Sequence, residues 1–182
     1  MDTLLFSGRS IWTMIHGIVL GGAALIAVAI ALFSLRAMRA ADAPPLHAAM
    51  HAQAKHVGWI TVAGAAALWL TVLVGTYVTF PAYRTTPPEG TDDLARYPRS
   101  LLQSNPDTVW LHSFAMEIKE HVPWIAAMLA TAVAFIAIRY RSRLLTDARL
   151  NRMASILLAI VFGLSAVVGL LGTFINKAAP LE

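Results

Sequence analysis

Two histidines and a tight group of charges hold most of the polar chemistry of an otherwise oily chain. His16 lies inside a long apolar run, and Glu117, Lys119, Glu120 and His121 fall within five residues at the start of another. Ionisable groups at membrane depth are costly, so they pair, bind something or lie along a pathway. Imidazoles on rigid helices suit iron or another transition metal, and neighbouring carboxylates can accept the second ring N–H or take protons. Glu117 and His121 are i,i+4 and share one helix face. Pro123 removes the backbone donor that would reach the Lys119 carbonyl, which predicts a kinked or loosened helix at this point.

Those residues must be positioned by membrane-spanning helices. The chain has 182 residues, 58% hydrophobic and 13% charged. Its apolar runs, Ile11 to Leu35, Val57 to Phe80, Val122 to Ile138 and Met153 to Ile175, contain no Asp, Glu, Lys or Arg. A hydrocarbon core about 30 Å thick takes about 17–25 helical residues. The expectation is an all-α, integral membrane four-helix bundle forming one domain over residues 1–182. Its helices are placed at about 11–36, 56–80, 106–140 and 152–176, arranged as two hairpins, with an external loop at 81–105. Pro81 is expected to stop the second helix, and Asn105-Pro106-Asp107 to open the third. The first run is too long for a cleaved signal and its basic residues follow it, so it reads as a retained helix.

Charge bias orients the bundle. Arg36, Arg39, Lys55, Arg139, Arg141, Arg143, Arg149 and Arg152 crowd the two connectors, where the only acids are Asp42 and Asp147. The positive-inside rule then places those connectors in the cytoplasm, and both termini and the 81–106 loop outside, in the periplasm of a bacterial inner membrane. The same crowding accounts for the basic balance without nucleic acid. No cysteine is present, which excludes disulfides, covalently attached c-type haem and thiol catalysis.

The connector charges also serve as a ruler. His16 precedes Arg36 by 20 residues and His121 precedes Arg139 by 18. Thr76, Tyr77 and Thr173 fall at the same depth, with Glu117, Lys119, Glu120, Tyr83, Arg84, Asn176 and Lys177 in or just above this layer. His16 and His121 are the candidate cofactor or metal ligands. Glu117, Glu120, Thr76, Tyr77, Thr173 and Lys177 are the candidate supporting groups, and an alternative reading has Lys119 snorkelling outward in an interfacial charge cluster. His47, His51 and His56 read as a solvated face, and His112 as an exposed residue outside the core. Trp12, Trp59, Trp110 and Trp124 read as interface belts. Gly17, Gly21, Gly163, Gly169 and Gly172 read as close-packing positions. Gly75-Thr76-Tyr77 and Gly172-Thr173-Phe174 end two helices alike, which would fit an internal duplication.

Four helices with a histidine on each of two of them at one depth resemble membrane b-type cytochromes of the cytochrome b561-like kind. That resemblance implies a haem b held between His16 and His121, but the chain lacks the histidines for a second haem. The segments MEIKEHVPW, YPRS and GTFINKAAP also look like a recurring set in bacterial four-helix membrane proteins, and imply no activity. The expected function is therefore membrane electron transfer through a b-type haem near the periplasmic face, exchanging electrons with quinol or a periplasmic partner. The alternatives are an accessory or anchor subunit of a larger membrane complex, docking through the 81–106 loop, and a non-haem transition-metal site of His16, His121, Glu117 and Glu120.

Overall fold

The computed structural model describes residues 7–39 and 47–180, with side chains described for 7–38 and 52–180. His47 and His51 therefore lie outside the described side chains. Among the described residues every regular element is helical. Four helices are long and apolar enough to cross a membrane: Gly8–Met38, Ala52–Tyr83, Leu111–Arg139 and Ala148–Ala178. The first packs on the second and fourth, and the third also packs on the second and fourth, so the four close a ring.

Small side chains make that ring tight. The first helix buries Ala24, Val28, Ala31, Leu35 and Met38, each three or four residues apart, as one helical face requires. The third contributes Ala126, Ala127, Ala130, Val133, Ala134 and Ala137, and the fourth Ala154, Leu158 and Val161. Alanine stripes allow helix backbones to approach closely where lipid gives no hydrophobic drive to association. The glycines that serve this packing are Gly58 and Gly64. A Cβ on Gly58 would stand 3.0 Å from Ile138 Cδ1, and one on Gly64 3.3 Å from Ala27 Cβ. Gly17, Gly163 and Gly169 have no such neighbour within 4 Å, so they are not the contacts their spacing suggests. The outward faces carry large apolar side chains, among them Ile18, Ile26, Phe33, Phe114 and Phe135, consistent with contact to a lipid bilayer.

Helix limits depart from expectation in instructive ways. The second helix runs past Pro81 to Tyr83, because the segment Gly75–Thr79 just before it is π-helical. Its wider turn accommodates a proline that cannot donate to the preceding turn. The third helix continues unbroken through Pro123. The fourth begins at Ala148, earlier than expected, with Asp147 accepting from Arg149 N at 2.9 Å and Leu150 N at 3.0 Å as a side-chain N-cap. Below it, the short helix Arg143–Thr146 buries Leu144 against the bundle. The buried Asn151 donates to both Leu35 O at 3.2 Å and Leu144 O at 3.1 Å, tying three segments together.

At the opposite end, the 81–105 segment is built rather than loose. A short helix, Pro98–Ser104, buries Leu102 completely. With Tyr83, Leu111, Ala115, Met116, Ile175 and Ala179 it forms a second small core that caps the bundle. Trp12, Trp59 and Trp110 are exposed as belt residues. Trp124 instead packs on the core, edge to face with Trp69 at 5.8 Å, and Trp69 donates to Thr131 Oγ1.

Candidate functional site

The third helix has two faces at the level of the charge cluster, and they carry different chemistry. Ile125, Met128 and Phe135 are exposed and mark the outward face. His121 and Glu117 lie on it, with side chains 72% and 65% exposed. The His121 Nδ1 donates to Glu117 O at 2.9 Å, its own helix, and the Glu117 carboxylate stands at 3.8 Å. Ala126, Ala130, Val133 and Ala137 mark the inward face. Lys119, two turns before Ala126, belongs to that face.

His16 approaches the same interior from the first helix. Its Nδ1 lies 2.9 Å from Thr71 O on the second helix. A carbonyl only accepts, so the neutral ring carries its proton on Nδ1 and leaves a lone pair on Nε2. The Cε1 edge of the ring lies against Gly75: a Cβ there would stand 2.7 Å from Cε1, 3.3 Å from Nδ1 and 3.5 Å from Nε2. Glycine at 75 is thus a condition for seating this imidazole. His16 itself sits in a π-helical segment, Ile15–Gly21, and Gly75 opens another. A third, Leu111–Ala115, precedes the charge cluster. All three lie at one end of the bundle. Such widened turns are uncommon and gather at functional sites.

Lys119 reaches across to the fourth helix, where its Nζ lies 2.7 Å from the place a Cβ on Gly172 would occupy. Among the described residues it forms no hydrogen bond and no ion pair, and it is the charge that bears on the His16 ring. Two turns along the same inward face of the fourth helix, Ser165 has a buried hydroxyl with no partner. The interior at this end therefore holds a cationic donor and an imidazole lone pair, seated against Gly172 and Gly75, with the unused Ser165 hydroxyl two turns deeper. An unpaired ammonium in a low-dielectric interior is expensive unless it meets an anion or a strong acceptor. Together these groups suit a ligand that offers both an acceptor oxygen and a donor O–H.

The remaining predicted site residues spread around this centre. Thr76 and Glu120 are partly buried. Tyr77 is 70% exposed, Lys177 is exposed, and Thr173 is exposed with its hydroxyl donating to Gly169 O at 3.1 Å. His16 and Lys119 thus both enter the interior, whereas His121 lies on the outward face. As a bis-imidazole haem site the arrangement does not fit, because only one of the two rings faces the interior. No group of three or more His, Asp or Glu side chains able to hold a metal occurs among the described residues.

A second polar pair was not anticipated. The Tyr83 hydroxyl and His112 Nδ1 share a hydrogen bond of 2.8 Å, inside the small outer core, with Arg99 and Glu120 as charged neighbours of both. His112 is therefore partly buried and engaged, not a free surface residue. Its partner lies 29 positions away across the 81–105 segment, too far for any local pattern to reveal. Comparison with protein-family models, with curated proteins and with solved structures finds no match to this chain, so the reading of the site rests on its own geometry.

Proposed function

We propose that this protein is a multi-pass redox subunit of a bacterial inner membrane that binds a quinone-type ring between His16 and Lys119. The connectors face the cytoplasm and the capped end faces the periplasm, following the charge bias. The observation that carries the reading is that Lys119, which has no partner among the described residues, and the His16 ring with its free Nε2 both enter the interior at one end of the bundle, each against a glycine of a neighbouring helix. A quinone carbonyl would accept from Lys119, and the hydroxyl of the reduced form would donate to His16 Nε2. Oxidation of that quinol would release two protons, the first to His16 and the second to water at the external face, and two electrons, one at a time, to a metal-centre acceptor in a partner subunit. The apolar ring and tail suit a site reached from lipid.

The test is the quinone content of protein purified in mild detergent, measured after solvent extraction. Wild type is expected to retain quinone, and Lys119→Met and His16→Ala to lose it. A wild type with no more quinone than an unrelated membrane protein sinks the proposal. A haem absorption band that disappears in His16→Ala would replace it with the cytochrome reading. A partner docking on the capped end is a second, compatible reading, favoured by the ordered segment around Leu102 and the exposed Glu89, Asp92 and Asp93.

A further inference from the structure

The opposite end of the bundle carries a different unsatisfied chemistry. Between the third and fourth helices, residues 139–152 hold five arginines, Arg139, Arg141, Arg143, Arg149 and Arg152, against the single acid Asp147. Asp147 is already used as the cap of the fourth helix through Arg149 N and Leu150 N. Among the described residues none of these five arginines forms an ion pair. Two of them are held in place: the guanidinium carbons of Arg139 and Arg143 lie 5.6 and 5.8 Å from the centre of the Tyr140 ring. Between them in sequence, Arg141 has its Nε buried without a hydrogen-bond partner. The turn cannot swing away freely, because Leu144 is 2% exposed and the short helix Arg143–Thr146 packs on the first, second and fourth helices.

Topology alone explains basic residues here, but not these details. Lysines in water would satisfy the charge bias equally well, and a guanidinium nitrogen need not be buried unpaired. Arg149 also stands in the first turn of a helix, where the backbone dipole disfavours cations. Guanidinium forks suit phosphate oxygens through paired hydrogen bonds. The turn lies at the end of a membrane-spanning helix, at headgroup depth, where basic pockets between helices meet acidic lipids.

From the buried Nε of Arg141 and the Tyr140-anchored guanidiniums around it, we infer that this turn is a binding site for the phosphate of an anionic phospholipid. The Arg141 fork and the Arg143 guanidinium hold the phosphodiester, and Arg139, Arg149 and Arg152 supply the surrounding field.

The experiment uses the full chain in mild detergent, delipidated and then titrated with phosphatidylglycerol, phosphatidylcholine or inorganic phosphate. Native mass spectrometry counts bound lipid, and the thermal midpoint reports its effect on the fold. Phosphatidylglycerol is expected to bind and raise the midpoint, and phosphatidylcholine to do neither. Arg141→Gln with Arg143→Gln should weaken phosphatidylglycerol binding about thirtyfold, given roughly one kcal/mol per basic residue near an anionic surface. Arg141→Lys, which keeps the charge and loses the fork, should weaken it less, and serves if the double variant does not fold. Arg84→Gln, at the opposite end, should leave binding unchanged. Equal binding of the two lipids, or unchanged binding in both Arg141 variants, overturns the site. Full stabilisation by inorganic phosphate alone overturns its assignment to lipid. None of these outcomes depends on whether a quinone binds near His16.

Discussion

Lys119 costs the fold free energy wherever its ammonium finds no partner, and that cost gives the first prediction its sign. Replacing a desolvated, unpaired polar group by an apolar side chain of similar length stabilises by about 1–3 kcal/mol. With quinone extracted from both, Lys119→Met is expected to have a higher thermal midpoint in detergent than wild type. A lower midpoint would mean that the ammonium is satisfied in the folded protein. The two glycines beside the site should behave differently, although an added Cβ on either meets an atom at 2.7 Å. At Gly172 the obstacle is the free end of a flexible lysine, so Gly172→Ala should displace Nζ and weaken quinone retention with little loss of stability. At Gly75 it is the His16 ring, held by its bond to Thr71 O. Gly75→Ala should therefore cost about 1–3 kcal/mol, as overpacking does, and should lose quinone as well. Thermal unfolding and extracted quinone, measured together on both variants, separate the two cases.

Elements explain why the residue spacing alone misdirects attention to His121. A one- or two-residue difference in helical phase decides whether a side chain faces the ring of helices or the lipid. The alanines at 126, 130 and 137 set that phase for the third helix. Lys119 is in step with them, and His121 is in step with Ile125 and Phe135. That stripe is visible in the sequence and would have singled out Lys119. The π-helical segments are not visible there. Asn151 offers a test at this scale. Its amide bridges Leu35 O and Leu144 O in the interior, so Asn151→Leu should remove both bonds and destabilise by about 1–3 kcal/mol. A loss below a few tenths of a kcal/mol would show that the bridge does not hold the connector in place.

For the whole molecule, the separation of a basic end from a capped polar end is the feature that a bilayer converts into orientation. Because the chain has no cysteine, single Cys variants report sidedness cleanly. Asp92→Cys in the cap should react with an impermeant thiol reagent in intact spheroplasts, and Ser142→Cys in the basic turn only after lysis. The reverse pattern would invert the topology and place the quinone site at the cytoplasmic face. Four apolar runs, their lengths and their depth ruler were legible in the sequence because hydropathy and charge bias act locally along each segment. Which polar side chains share an interior was not, because it depends on helix phase, on the glycines that admit a ring or an ammonium, and on the contacts of segments far apart in sequence. The membrane-helix architecture was thus set by composition and pattern. The placing of His16 and Lys119 in one interior, and the bond between Tyr83 and His112, were decided only when four helices and a cap packed against one another.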